Sequence, residues 1–338
     1  MFVLMNVSSR INWIDASRGL CMFCVMLHHS GYCPVVFEWL LAPFFLFLFF
    51  FISGFLFRES SFKDSIKRII NGLVIPYVFL GLLTYFTHRI TLIEIYNGNY
   101  NVILQGVFSL ISGSLLWFIP CLILVQFVYL LLNKLLLKKI NIGFKFFVGC
   151  IMLGSIFLIR NDSRTYLYWN ADTALYALGF FVFGHLVKLS NIDLSSLLKN
   201  KSFALLNLLI YSILTILINK DVGGLDINVH CNHYNYPLLC VLLSCLGTFS
   251  IIFLTVAFNI GKFFLLLGRN SLLVFAFHGR GFWITSKLFA LTGITKILGE
   301  NIYIYSILYC FFTGVCMILL AFVVNKYVPW LVGRKKLI

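Results

Sequence analysis

A chain of 338 residues in which 61% are hydrophobic and only 11% charged does not suit a water-soluble domain, where roughly 25% charged is ordinary. A net charge of +15 does not make it a nucleic-acid binder either, because the Lys and Arg are scattered through short connections rather than gathered on one basic face. The expected solvent is the lipid bilayer.

In chain order, the apolar stretches predict spans at about 12–33, 37–57, 69–88, 114–132, 142–159, 172–187, 203–218, 236–258, 271–291 and 302–328, since ~20 apolar residues cross the hydrocarbon core. The expected fold class is an all-α polytopic membrane protein, a bundle of about ten transmembrane helices. It is read as a single transmembrane domain over 1–338, with no soluble appendage and no internal repeat. The first stretch carries Asp15 and Arg18 and lacks a small-residue cleavage site before the turn at Gly31 to Pro34, so it is expected to be a retained span rather than a cleavable signal. Further breaks are expected at Asn97/Gly98, Asn141/Gly143, Gly223/Gly224 and Gly293. Cysteines fall mostly inside spans, where they are expected to pack as small apolar groups.

Counting Lys and Arg on alternate connections gives 18 on one side and five on the other. The positive-inside rule then places both termini in the cytoplasm.

Ionisable groups within spans call for a partner or a task, at ~2.5–3.5 kcal/mol each near a helix centre. Asp15, Arg18 and His29 stand out in the first span. At ~100° per residue Arg18 and His29 differ by about 20° around the helix, with His29 roughly 16 Å further along the axis, whereas His28 points about 80° away. Asp15 and Arg18 are expected to pair at i,i+3, leaving His29 as the reactive group; the competing structural reading makes the first two interfacial anchors and His29 a solvated helix end. A second polar concentration runs from Gly268-Arg269-Asn270-Ser271 to His278 and Arg280. The loop His230-Cys231-Asn232-His233 lacks specific ligand spacing, and no metal is expected.

These residues carry a resemblance. Trp13-Ile14-Asp15-Ala16-Ser17-Arg18-Gly19 is similar to the Asp-x-x-Arg-Gly opening of the acyltransferase family 3 membrane proteins, and Arg18 to His29 matches their Arg-x10-His spacing. Phe49-Phe50-Phe51-Ile52-Ser53-Gly54-Phe55 resembles the second-span Phe-Phe-x-Ser-Gly signature. Arg68 with Ile75-Pro76-Tyr77, Leu116-Trp117-Phe118-Ile119, and Leu267-Gly268-Arg269-Asn270-Ser271-Leu272 ending at His278 follow in family order. The likeness is closest to the fucose 4-O-acetylase and polysaccharide O-acetyltransferase branch, with two departures: Leu41-Ala42-Pro43 replaces a His-Met-Pro lead, and the basic motif before the third span is reduced to Lys67 and Arg68.

The resemblance implies a membrane O-acyltransferase moving acetyl from cytoplasmic acetyl-CoA to a hydroxyl of a surface or lipid-linked carbohydrate, in a bacterial inner (plasma) membrane. It implies His29 as general base or transient acyl carrier, with Asp15 and Arg18 shaping the donor entrance. Arg18, Arg68 and Arg269 are the expected donor-binding residues, while Arg58, Lys63, Lys67 and Lys262 also offer charge to its phosphates. His278, Ser53 and Trp117 are further candidates. No permanently bound cofactor is implied. The alternative reading is a carrier or flippase for a glycan or small anion using Arg18, Arg280 and His278, although interrupted inverted repeats of the kind many carriers use are not found.

Overall fold

In hydrocarbon each backbone N–H and C=O must be satisfied within the protein, so an apolar run without breakers becomes helix. The computed structural model describes residues 11–157, 167–192 and 198–334, and the main helices are α1 (Asn12–His29), α2 (Val35–Leu41), α3 (Phe47–Phe55), α4 (Phe62–Ile69), α5 (Ile75–Phe86), α6 (Arg89–Tyr96), α7 (Asn101–Ser112), α8 (Phe118–Leu135) and α9 (Ile142–Gly154). After these come α10 (Ala171–Leu189), α11 (Lys201–Asp221), α12 (Pro237–Ala257), α13 (Lys262–Arg269), α14 (Ser271–Thr292), α15 (Ile294–Leu298) and α16 (Ile302–Tyr327). The only strands among the described residues are β1 (Ile227–Asn228) and β2 (His233–Tyr234), an antiparallel pair with Ile227 opposite Tyr234. The described regular structure is all-helical apart from that short hairpin.

Among the described residues six helices are long and apolar enough to cross a membrane: Phe62–Phe86, Phe118–Leu135, Tyr168–Leu189, Lys201–Asp221, Pro237–Ala257 and Ile302–Tyr327. The other four expected stretches are helical but depart from that standard for physical reasons. Helix α1 contains Asp15 and Arg18, and α14 contains His278, Arg280 and Lys287. The expected second span is split into α2 and α3 by the turn at 42–46, where the ring of Pro43 and its missing N–H stop a continuing helix. Helix α9 is only 13 residues long. Ile159, the expected end of that stretch, lies outside the described residues.

Between α4 and α5 the helix widens into a π turn at Ile70–Val74. Pro76 follows two residues after its end; it removes one helical donor and crowds the carbonyl four residues back, at Gly72, and a π turn is a known accommodation of such strain.

Two glycine crossings fix the bundle. A Cβ on Gly19 would stand 1.8 Å from the Phe264 carbonyl oxygen, and one on Gly268 would stand 1.8 Å from that of Asp15, so α1 and α13 touch backbone to backbone. Likewise Gly54 of α3 faces the Phe181 oxygen at 1.9 Å and Gly184 of α10 faces the Phe51 oxygen at 1.9 Å. Small residues that let helices approach this closely are the usual adhesive inside membranes, where apolar side chains gain nothing by leaving lipid for each other. Around the second crossing Phe47, Phe50, Phe51 and Phe181 are fully buried, with Phe47 stacked on Phe180 at 4.8 Å.

Candidate active site

The α1–α13 crossing has a direct chemical consequence. Placing Gly19 on Gly268 brings the end of α13 beside the first turns of α1, and Arg269 Nε donates to Asp15 Oδ2 at 2.9 Å. Arg18, the partner expected for Asp15 at i,i+3, instead donates from Nη2 to Ser271 Oγ at 2.6 Å. The local pairing is thus replaced by a crossed one, because the helix contact delivers a second guanidinium to Asp15 and a hydroxyl to Arg18. Asp15 is buried at 8% exposure, and satisfying its charge falls to a residue 254 positions away.

Beside this junction lies a cavity of about 500 Å³ with Arg18, Arg58, Arg68, Arg269 and Arg334 in its wall and, among the described residues, no lining carboxylate. Of the expected donor-binding residues, Arg18, Arg68 and Arg269 all line it and so does Arg58; Lys63, Lys67 and Lys262 do not. Arg68 sits in the last turn of α4, whose start is capped by Ser61 accepting from the Asp64 N–H at 3.1 Å. Its Nη2 donates to the Arg58 carbonyl at 3.0 Å and to Ser65 Oγ at 3.2 Å, and it also contacts Ser60. Two arginines from neighbouring segments are thereby held as one unit.

Away from the arginines the lining becomes apolar, through Met22, Val25, Leu46, Phe49, Phe118 and Phe275. Ser53 also lines the cavity, although its hydroxyl donates to the Phe49 carbonyl of its own helix at 2.8 Å. The shape is a charged mouth leading to a greasy interior.

His29 and His278 do not line this cavity. They lie beyond its apolar end, with ring centroids 5.5 Å apart. His29 is exposed at the end of α1, one turn past Val25. His278 Nδ1 is 2.8 Å from the Phe275 carbonyl, a contact that requires the proton on Nδ1 and leaves Nε2 with its lone pair in the neutral ring. Phe275 is the shared wall, lining the cavity on one side and lying 6.3 Å from the His278 ring on the other. His28, as its angle predicts, takes another direction, with its ring 5.5 Å from Phe45.

The remaining candidates sit elsewhere. Arg280 donates to the Thr84 carbonyl at 3.0 Å near the end of α5. Trp117 packs against His230 with centroids 4.9 Å apart, and neither lines the cavity. In the loop between α11 and α12, burial lowers the His230 pKa below the ordinary histidine range, an effect opposed by nearby Asp172. His233 turns instead to Asp226, Nε2 to Oδ2 at 3.3 Å. Among the described residues no three His, Cys, Asp or Glu side chains gather closely enough to hold a metal ion.

Sequence reasoning did not single out Ser271 as the partner of Arg18, nor Arg334 as a cavity residue. Ser271 follows the Gly-Arg-Asn segment directly, a usable signal. Arg334 has no motif around it.

Comparison with known proteins agrees with these motifs. A family model described as an acyltransferase domain, that of acyltransferase family 3, matches residues 11–324. No curated protein matches, and no solved structure does.

Proposed function

The chain belongs to acyltransferase family 3, and from that premise we propose that this integral membrane acyltransferase moves acetyl from acetyl-CoA to a hydroxyl of a surface or lipid-linked glycan. The observation that carries the donor reading is the cavity, which among the described residues has five arginines, no lining carboxylate and an apolar interior. Such a wall suits a ligand with several phosphates at one end and a thin, weakly polar arm at the other, which describes acyl-CoA. Arginine forks bind phosphate with paired charge-assisted hydrogen bonds.

The chemistry falls to the exposed end of α1. A ring nitrogen of His29 takes the acceptor hydroxyl proton while the oxygen attacks the thioester carbonyl. A C–O bond forms, the C–S bond breaks, and the departing CoA sulfur receives the proton. A route through acetyl-His29 divides the same exchange into two steps. In either case the acetyl group must pass Phe275 and Val25, so turnover requires that wall to open. His278 supports His29 as a second polar group.

The proposed frame has ten spans, with the short or polar helices α1, α2–α3, α9 and α14 crossing inside the protein's own bundle. The 18-to-five basic bias supports an orientation with both termini and the arginine mouth in the cytoplasm, and the proposed location is a bacterial inner membrane. In an otherwise cysteine-free protein, Ser61→Cys should be protected from an impermeant external thiol reagent and Asn99→Cys should be labelled. The reverse pattern would overturn the orientation.

The decisive assay is release of free CoA from acetyl-CoA by purified protein, dependent on a glycan acceptor. Glycan translocation without CoA release would favour a carrier instead. Within that assay Arg68→Gln should raise the donor KM by about tenfold or more, since a hydrogen bond to a charged group contributes ~1.5–3 kcal/mol. Its kcat should change little, because a phosphate contact is equally strong in ground and transition states. Unchanged donor KM at normal protein abundance removes Arg68 from the donor site. Arg269→Gln is a poorer probe, because it also strips buried Asp15 of its ion pair.

A further inference from the structure

The family match ends at residue 324, yet the cavity does not. Beyond α16 the chain turns back as a strap, Val328–Arg334, containing a short 3-10 turn at Pro329–Val332. Trp330 sets its ring edge-on to Phe79 of α5 at 4.9 Å, and Leu331 is buried. Gly333 has φ +68, and a Cβ there would stand 3.1 Å from the Gly72 backbone and 3.2 Å from the Asn71 oxygen. The strap therefore seats a glycine on the π turn that precedes Pro76, using a left-handed conformation other residues adopt only at a cost.

What this seating delivers is Arg334. Its Nη2 donates to the Arg269 carbonyl at 2.9 Å and to Asn270 Oδ1 at 2.8 Å, and Asn325 Nδ2 donates to the same Asn270 oxygen at 2.9 Å. Val332 and Arg334 both line the arginine cavity. Two anchors thus hold the strap across it, a glycine on the π turn at one edge and a guanidinium on the α13–α14 junction at the other.

We infer that the strap is a wall of the donor site and that Arg334 supplies a phosphate contact from outside the family-matched region. The inference rests on the acyl-CoA reading of the cavity. It assigns part of donor affinity to a segment in which no family motif lies, and it predicts that strap and π turn act together.

The test is CoA binding to the purified full chain, by calorimetry in detergent at several salt concentrations. Arg334→Gln should weaken CoA about tenfold and flatten the salt dependence of binding, with the thermal unfolding midpoint little changed. Gly333→Val leaves every charge in place but is incompatible with the +68° backbone and the Gly72 contact; by displacing the strap it should cause a similar loss. A merely structural role would lower the unfolding midpoint and leave the affinity of the folded protein as it was. If the parent protein binds CoA and either variant binds it equally well, the strap inference is overturned. If the parent protein fails to bind CoA at all, the donor reading of the cavity falls first, and this inference falls with it.

Discussion

Replacing His29 by Ala should lower acetyl transfer by about 10²–10⁴-fold, the usual contribution of general acid–base catalysis, while leaving membrane abundance unchanged. Stability should survive because the side chain is exposed at the last residue of α1, so truncation opens no cavity in the core. His28→Ala is the internal control. It lies at nearly the same depth on the same helix, but its ring packs against Phe45 rather than pairing with His278 at 5.5 Å. Turnover per unit of membrane protein, measured with saturating acetyl-CoA and acceptor, should fall far less in the His28 variant. If His28→Ala is inactive and His29→Ala turns over normally at equal abundance, the catalytic assignment is wrong.

The second large effect is on the fold itself. Gly54→Ala should remove most folded protein from the membrane, because the added Cβ would meet the Phe181 carbonyl oxygen at 1.9 Å. No rotamer change relieves a clash with backbone; α3 and α10 must separate, and the buried phenylalanines around them lose their contacts. Overpacking a well-filled core usually costs about 1–3 kcal/mol, occasionally more, and a backbone-to-backbone clash belongs at the upper end. Gly19→Ala should behave alike and in addition should disturb the Asp15–Arg269 pair. Gly154→Ala, where a Cβ meets nothing within 4 Å, should be neutral. Fluorescence-detected size exclusion of detergent extracts reads all three. Full retention of a monodisperse peak by Gly54→Ala, with an unchanged melting midpoint, would show that the crossing is looser than described.

Much of this architecture was legible because helices in lipid are written as uninterrupted apolar runs, and their ends as glycines. Gly31, Gly98, Gly223 and Gly293, expected as breaks, all have positive φ. Hydropathy is blind where both alternatives are apolar. Pro43 lies within such a run, and the division of the second stretch into α2 and α3 followed from its ring rather than from any change in polarity. The stretch between the expected spans at 69–88 and 114–132, for which only a break at Asn97/Gly98 is expected, contains α6 and α7; Leu104, Phe108 and Ile111 are exposed there, a pattern an apolar count cannot separate from a buried one.

The candidate residues were legible as types but not as partners. Asp15, Arg18 and Arg269 were recognisable as charges in need of company. That Asp15 takes Arg269 while Arg18 takes Ser271 follows from Gly19 meeting Gly268, a tertiary fact. Arg334 was legible only as one more basic residue in a connection. Its place in the cavity depends on a glycine seated on a π turn, and helical periodicity contains no trace of that.

The pairing of Asp15 with a residue 254 positions later sets an order of events during synthesis. At about 5–20 residues per second of translation, α1 enters the bilayer on the order of 10–50 s before Arg269 leaves the ribosome. For that interval the carboxylate of Asp15 must be sheltered by something other than its final partner, such as the insertion machinery, water at the interface, or Arg18 one turn away. The arginine cavity, whose wall includes Arg334, is incomplete in any nascent chain that has not reached that residue. A helix that arrives early is therefore among the last to settle.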